Sequence, residues 1–319
     1  MQNYSHALSW YHKAAEQGNA AAQNNLGDCY YYGRGVEQNL TQAVSWYRKA
    51  AEQREPYAQS KLGVCYYYGR GVAQDYALAV FWYRKAAEQG NVFAQNNLGD
   101  CYFYGRVVMQ DLIQAVAWYR KAAEQGYAIA QNNLGRCYEC GKGVGQDNSQ
   151  AVFWYREAAE QGDAAAQNNL GDCYYYGRVV AKDLTQAVTW YHKAAEQGEP
   201  YAQNKLGVCY YYGRGVEQDL TQAVFWYHEA AEQGNAAAQN ALGDCYYNGR
   251  GVAKDYSQAV SWYRKAAEQG EPYAQSNLGW CYEYGRGVEQ DLTQAVSLYR
   301  KAAAKGQSLA RENLKRLGR

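Results

Sequence analysis

The chain has 319 residues, of which 48% are hydrophobic, and its 32 basic and 31 acidic residues leave a net charge of +1. This composition is ample for a packed core, and the near-zero charge argues against a surface that binds nucleic acid or membrane electrostatically. No apolar run is long enough to cross a bilayer, and no hydrophobic stretch follows the first residues. We therefore expect no secretory signal and a cytoplasmic location.

A Leu-Gly pair recurs every 36 residues along the chain. A strict period of this length is typical of a solenoid, whose units contact only their neighbours and present a long surface without one central pocket. We therefore count residues 1–319 as a single domain. The pairs are Leu26-Gly27, Leu62-Gly63, Leu98-Gly99, Leu134-Gly135, Leu170-Gly171, Leu206-Gly207, Leu242-Gly243 and Leu278-Gly279.

The first predicted element is a helix over residues 4–17, which belongs to an incomplete repeat at residues 1–19. Eight complete repeats follow over residues 20–307, and each begins with a helix that we name helix A. In the first of them Ala22, Leu26 and Cys29 form an apolar stripe at helical spacing, and Gly33 ends the helix. A glycine inside helix A, such as Gly27, predicts that alanine-rich helix B approaches it closely.

Helix B follows a short link. Asn39, or an aspartate in the other repeats, supplies an N-cap oxygen, and Gln42 three residues later resembles the second half of a capping box. Ala43 and Tyr47 of helix B, and Tyr30 of helix A, are predicted to lie in the core, and a glycine such as Gly90 ends helix B. Arg54 alone replaces that glycine, at a cost of about 1 kcal/mol if the position is left-handed.

The last predicted element is an A-type helix within residues 308–319. Lys315 replaces the glycine of the Leu-Gly pair there and Gly318 replaces a core tyrosine, so we interpret this helix as a polar cap. The first helix has no such changes, and we expect either a longer parent protein or self-association through this uncapped helix. The prediction is an all-α, right-handed superhelical α-solenoid of antiparallel helix pairs, with about eighteen helices.

Eight of the nine cysteines occupy one position in successive repeats, where packed helices lie about 8–10 Å apart. A disulfide requires Cα atoms within about 7 Å, so these thiols are predicted to be small buried apolar groups that stay reduced. They are Cys29, Cys65, Cys101, Cys137, Cys173, Cys209, Cys245 and Cys281.

The order Ala-x3-Leu-Gly-x2-Tyr-x2-Gly-x-Gly-Val-x2-Asp-x3-Ala-x2-Trp-Tyr-x2-Ala-Ala-x2-Gly resembles the Sel-1-like repeat, a relative of the tetratricopeptide repeat. The resemblance covers essentially the whole chain. Val107 and Val179 depart from it by replacing the second loop glycine, and Leu298 replaces the tryptophan. It implies an adaptor that gathers partners into complexes, without catalysis and without a cofactor.

On a helical wheel centred on Leu26, some positions of helix A point away from the core and should line an inner, concave wall. One of them, occupied by Asp28 in the first complete repeat, differs most between repeats. A surface tailored to a ligand and relaxed drift at exposed sites both explain this variation. The candidate ligand-binding residues are Asn25, Asp28, Tyr31, Lys61, Val64, Tyr67, Asn97, Asp100, Phe103, Asn133, Arg136, Asn169, Asp172, Tyr175, Lys205, Val208, Tyr211, Asp244 and Trp280.

Two residue types on this wall suggest kinds of ligand. Asparagines at Asn24 and its counterparts form a predicted ladder of amides that could hold the backbone of an extended peptide, although a solvated polar face would look the same. Tyrosines at the Tyr31 and Tyr32 positions cannot all be buried, and such rings suit protein partners and also stack on sugars. The ladder comprises Asn24, Asn96, Asn132, Asn168, Asn204 and Asn240.

A row of cations, from Arg34 to Arg286, follows the ends of the A helices and is best explained by the helix dipole. The Cys137 and Cys140 pair lacks the second pair or histidine of a metal site, so no metal or cofactor is expected. We predict a non-enzymatic scaffold or adaptor that binds a protein or an extended peptide in its concave groove. The alternatives are a saccharide-binding module and a self-assembling repeat scaffold.

Overall fold

The computed structural model describes residues 2–106 and 108–318, so Val107 and its predicted effect on a loop lie outside the described residues. Eighteen α-helices and no strand form within these ranges, which confirms the all-α prediction. Their bounds are α1 Gln2–Glu16, α2 Ala20–Tyr32, α3 Leu40–Glu52, α4 Pro56–Tyr68, α5 Tyr76–Glu88, α6 Val92–Tyr104, α7 Leu112–Glu124, α8 Ala128–Cys140, α9 Asn148–Glu160, α10 Ala164–Tyr176, α11 Leu184–Glu196, α12 Pro200–Tyr212, α13 Leu220–Glu232, α14 Ala236–Asn248, α15 Tyr256–Glu268, α16 Pro272–Tyr284, α17 Leu292–Ala304 and α18 Ser308–Arg316.

The chain divides into two compact units, residues 1–161 with α1–α9 and residues 162–319 with α10–α18. We name them unit 1 and unit 2. Within each unit every helix packs on the next helix in chain order. The even-numbered helices are the predicted A helices, the odd-numbered ones are the B helices, and the 36-residue period of an α-solenoid is confirmed. In the part of the chain that the structure describes, no helix has the length and apolarity needed to cross a membrane.

The predicted helix ends are present. Helix α2 ends at Gly33 in the left-handed conformation, with φ of 67°, and the backbone N–H of Gly33 donates to the Cys29 carbonyl. Asn39 is the N-cap residue of helix α3, and its side chain accepts a hydrogen bond from the Gln42 backbone N–H at 2.9 Å. Only this half of the capping box forms. The N–H of Asn39 donates instead to the carbonyl of Tyr30 at 2.9 Å, so it does not need the glutamine side chain.

Two residues other than glycine adopt left-handed backbone conformations among the described residues. Arg54 has φ of 67°, which confirms the strain expected where the other repeats carry a glycine such as Gly90. Val179 has φ of 66°, close to the 75° of Gly35 at the same place in the first complete repeat. The loop therefore keeps its geometry at Val179 and carries strain of about 1–2 kcal/mol.

Each core is built from small residues and one large ring. Leu26, Ala43 and Tyr47 are fully buried, as predicted. Tyr30, also predicted to be a core residue, is only half-buried, and its hydroxyl lies 3.3 Å from Nε2 of His12 on the preceding B helix. The eight repeated cysteines are free buried thiols, and burial raises the pKa of Cys65 to about 12. They therefore behave as apolar filling at neutral pH.

The glycine inside each A helix faces the ring of the tyrosine in the following B helix. A Cβ on Gly27 would lie 2.5 Å from Cδ1 and Cε1 of Tyr47, closer than such atoms can approach. The predicted close approach is therefore present. The nearest atoms of helix B belong to a tyrosine ring, and the carbonyl oxygen of an alanine is also close in several repeats. The same contact joins Gly63 to Tyr83, Gly99 to Tyr119 and Gly135 to Tyr155 in unit 1, and Gly171 to Tyr191, Gly207 to Tyr227, Gly243 to Tyr263 and Gly279 to Tyr299 in unit 2.

A buried glutamine ties three helices together, and it was not anticipated from the sequence. Gln23 on α2 is 4% exposed, and its amide donates to the carbonyl of Ala15 on α1 at 3.0 Å. Its own carbonyl accepts from Gln53, at the end of α3, at 2.8 Å. The arrangement satisfies both ends of a buried amide, which would otherwise destabilise the fold. It recurs at Gln59, Gln95 and Gln131 in unit 1 and at Gln203 and Gln239 in unit 2.

We predict that Gly135→Ala destabilises the protein. The new Cβ would lie 2.8 Å from Cδ1 and Cε1 of Tyr155 and 3.2 Å from the carbonyl oxygen of Ala151. Such overpacking costs about 1–3 kcal/mol, which exceeds the gain of about 1 kcal/mol that alanine brings to a helix. Urea unfolding followed by far-UV circular dichroism should show a lower midpoint.

The matched control is Gly145→Ala in the same repeat, because a Cβ at Gly145 has nothing within 4 Å. Its midpoint should equal that of the wild type. Equal midpoints for both variants would contradict the packing of the ring on the helix.

A candidate interaction surface on the A helices

The residues predicted to bind a ligand lie on one face of the A helices, which we name the A-helix face. All of them are half-buried except Arg136, which is exposed. Many of their side chains contact the neighbouring repeat within the same unit. The surface is therefore partly a seam between repeats and partly an open face.

The carboxylate of Asp28 has two partners. It accepts a hydrogen bond from the buried Tyr47 hydroxyl at 2.7 Å and pairs with the ammonium of Lys61, on the next A helix, at 2.6 Å. In unit 2, Asp172 likewise accepts from the Tyr191 hydroxyl at 2.5 Å and pairs with Lys205 at 3.1 Å. These predicted ligand residues already hold neighbouring repeats together.

Two further aspartates accept a hydrogen bond from the equivalent tyrosine of their own repeat. Asp100 accepts from Tyr119 at 2.6 Å, and Asp244 accepts from Tyr263 at 2.7 Å. Burial raises the pKa of both carboxyls. Asn277 on the next A helix of unit 2 also donates to Asp244, at 3.1 Å. The interaction that all four aspartates share is thus the hydrogen bond from the core tyrosine hydroxyl.

In two repeats that lack the aspartate at the Asp28 position, a glutamate three residues later accepts the tyrosine hydroxyl instead. Where Arg136 replaces the aspartate, the Tyr155 hydroxyl donates to Glu139, three residues further along α8, at 2.7 Å. Where Trp280 replaces it, Tyr299 donates to Glu283 at 2.8 Å. The two glutamates were missed from the sequence. The other two repeats that lack the aspartate carry Val64 and Val208, and a tyrosine stands three residues later in both.

The asparagine ladder was predicted to face solvent, but the structure buries Asn24 and Asn96. Asn24 and Asn96 in unit 1 are 8% and 5% exposed, because they lie in the seam between successive A helices. Lys61 donates to the Asn24 amide oxygen at 3.3 Å, and Asn133 donates to that of Asn96 at 3.0 Å. These two amides pair with the next repeat, so they are not free to clamp a peptide.

The cations after the A helices reach back to the preceding repeat. Arg70 donates to the hydroxyl of Tyr31 at 2.6 Å, and Lys142 lies over the ring of Phe103, 5.3 Å from its centre. The row of cations therefore has a role beyond the helix dipole. The same pairing joins Arg106 to Tyr67 in unit 1, and Arg214 to Tyr175, Arg250 to Tyr211 and Arg286 to Tyr247 in unit 2.

Unit 1 contains an aromatic cavity of about 350 Å³ on this face. Four of its lining residues, Tyr31, Lys61, Val64 and Asn97, were predicted as ligand-binding residues. We name it the aromatic cavity, and its walls are Tyr31, Tyr32, Tyr47, Tyr57, Ser60, Lys61, Val64, Phe93, Asn97 and Tyr127.

Three rings at the starts of successive A helices form one wall and were missed from the sequence. Tyr57 and Phe93 lie in the first turns of α4 and α6, and their ring centres are 6.4 Å apart. Tyr127 is the N-cap residue of α8, and its ring centre is 5.2 Å from that of Phe93. The signal was available as an aromatic residue near the start of three consecutive repeats.

Among residues 2–106 and 108–318, no three His, Cys, Asp or Glu side chains are placed to hold a metal ion. Cys140, the second thiol of the lone pair in α8, is exposed, whereas Cys137 is buried. The two therefore face different environments.

We predict that Tyr47→Phe destabilises the protein more than Tyr83→Phe. The first change removes the hydroxyl that donates to Asp28 at 2.7 Å, whereas Val64 stands at the matching position beside Tyr83. A hydrogen bond to a charged group is worth about 1.5–3 kcal/mol, and the partly exposed carboxylate lowers this to about 1–2 kcal/mol. Urea unfolding of both variants measures the difference, and equal losses would refute the role assigned to the carboxylate.

The protein-family model of the Sel1 repeat matches almost the entire sequence. It covers residues 1–19, 20–54, 56–91, 92–127, 128–163, 164–199, 200–235, 236–271 and 272–307. No curated protein matches the chain.

Two solved structures are similar over nearly the whole length. The protective antigen c5321 of uropathogenic Escherichia coli, described as displaying an SLR fold, is 42% identical with a TM-score of 0.78, over 97% of this chain and 67% of that chain. A Sel1 repeat protein from Oxalobacter formigenes is 33% identical with a TM-score of 0.67, over 97% of this chain and 89% of that one. The repeated helix pairs, the glycine positions and these matches agree that the chain belongs to the Sel1 repeat family.

Proposed function

We propose that this protein is a non-enzymatic interaction scaffold, and that it binds an extended segment of a protein partner on the A-helix face of unit 1. The aromatic cavity is the observation that carries the proposal. Its volume of about 350 Å³ accommodates one large side chain, and its rings are held on helices. A site that is formed before binding loses little conformational entropy when a ligand arrives.

The exposed rings support a protein ligand. Tyr57 is 51% exposed and Phe93 is 45% exposed. The exposed part of each ring could be buried by a bound partner. Aromatic residues are enriched in the cores of protein interfaces, where they contribute much of the binding energy. Membership of the Sel1 repeat family supports the same kind of role, because the resemblance implies adaptors.

The arrangement of the rings favours a peptide over a saccharide. Stacking on a sugar requires an open flat ring face, whereas the Tyr57 and Phe93 planes meet at 56° and those of Phe93 and Tyr127 meet at 72°. Rings belong to six of the ten residues of the cavity wall, and a single apolar side chain can pack against several of them at once.

A random peptide library displayed on phage tests the proposal. Peptides should be enriched on the wild-type protein, and Phe93→Ala should weaken the best of them by about tenfold or more, because it removes a central ring of the site. Binding is measured by fluorescence anisotropy with the labelled peptide. Thermal unfolding of the variant verifies that it remains folded.

The matched control is Phe81→Ala. Phe81 is 48% exposed, as Phe93 nearly is, and lies in the same unit, but it belongs to helix α5 of the B class. This variant should bind as the wild type does. Loss of binding in Phe81→Ala with retention in Phe93→Ala would place the interaction on the B helices, and an absence of any enriched peptide would refute the proposed function.

A further inference from the structure

We propose that the aromatic cavity recognises a large apolar or aromatic side chain of the bound segment, and that this side chain is flanked by acidic residues. This inference rests on the proposed function and specifies the chemistry of the partner. Four observations support it: the cavity lining, an amide inside the cavity, the charge at its rim and an exchanged helix cap.

The lining is suited to an apolar group. Rings of Tyr57, Phe93 and Tyr127 form one wall, and Val64 lies among them. The ammonium of Lys61 is also present, but it is neutralised by the carboxylate of Asp28 at 2.6 Å. An apolar side chain can therefore enter without removing a free charge from water.

Asn97 is a polar group available inside the cavity. At the same position of other A helices, Lys61 and Asn133 bond to an amide or carboxylate of the preceding repeat. Asn97 instead faces a repeat that has Ser60 and Val64 at those places, and it makes no side-chain hydrogen bond among the described residues. An amide both donates and accepts, so Asn97 can pair with the backbone of an extended peptide beside its anchoring side chain.

The rim of the cavity is positively charged. Arg34 lies over the ring of Tyr32, 4.7 Å from its centre, and Arg70 donates to the hydroxyl of Tyr31 at 2.6 Å. Both guanidiniums are exposed, and these partners carry no charge to neutralise them. Carboxylates beside the anchor would be attracted to this rim, whereas a cationic ligand would be repelled.

At residue 127 a tyrosine whose ring lines the cavity stands where the other A helices have a capping residue. The A helices begin with caps such as Asn19, Glu55, Asn91 and Asp163, whose side chains accept a backbone N–H. Tyr127 makes no such capping bond, and its ring packs against Phe93 instead. Loss of a cap in exchange for an aromatic wall is the pattern expected where binding is favoured over stability.

Unit 2 provides an internal comparison in the sequence. The positions 144 residues further along retain Tyr201, Lys205 and Val208 as counterparts of Tyr57, Lys61 and Val64. Four counterparts differ: Asn204, Ala237, Ala241 and Glu271 stand for Ser60, Phe93, Asn97 and Tyr127. The residues that supply the ring wall and the free amide are thus the ones that distinguish unit 1.

The composition of the peptides enriched on the wild-type protein tests the inference directly. They should share a Trp, Phe, Tyr or Leu with Asp or Glu nearby. In the best peptide, changing the anchor to Ala should weaken binding by about tenfold or more, which is the value of burying one such side chain. Changing the flanking acids to Lys should weaken it further and should reverse its dependence on salt.

Three protein variants locate the site with that same peptide. Tyr57→Ala and Asn97→Ala should weaken binding by about fivefold or more, whereas the matched control Tyr201→Ala in unit 2 should leave it unchanged. Tyr127→Asn should also weaken binding, while its new cap raises the melting temperature by about 2–4 °C. This last variant separates a role in binding from a role in folding, because the two measurements move in opposite directions.

Enriched peptides without an apolar anchor or acidic residues would overturn the inference and leave the proposed function intact. Equal loss in Tyr57→Ala and Tyr201→Ala would overturn it as well. The absence of any enriched peptide would instead refute the proposed function.

Discussion

The ring of a B-helix tyrosine lies where a glycine of the A helix has no side chain, and this contact connects the core to the surface. At Gly27 the ring of Tyr47 passes so close that a Cβ could not be accommodated. The ring therefore crosses the core, and its hydroxyl emerges on the A-helix face, where it donates to Asp28. The requirements of a buried tyrosine thus decide which residues that face can carry.

The aromatic cavity lies where one of these carboxylates is missing. Asp28, Asp100, Asp172 and Asp244 accept the hydroxyl of their tyrosine in four repeats. In the second complete repeat Val64 stands at the carboxylate position and Ser60 at the position of the asparagine ladder, so the facing Asn97 has no partner there. The space that remains is bounded by rings at the starts of α4, α6 and α8. The proposed binding surface therefore lies where a contact between repeats is omitted.

The sequence was sufficient to predict the helices of one repeat and how they end. Apolar spacing around Leu26, the cap at Asn39 and the left-handed strain at Arg54 are local properties, and the structure has each of them. The burial of Asn24 and Gln23 was not foreseen, because a helical wheel describes one helix and not the offset of its neighbour. The rings of Tyr57 and Phe93 were missed for a related reason. They lie in the first helical turns, where the first complete repeat has the small residue Ala21, and only the spacing of the repeats brings them together.

The buried glutamines imply that neighbouring repeats of a unit unfold together. Gln23 bonds at once to the preceding B helix and to the end of its own B helix, so opening either one exposes an unpaired amide. Hydrogen exchange would consequently be slow and similar in the helices that one glutamine joins, because opening any of them exposes the same buried amide.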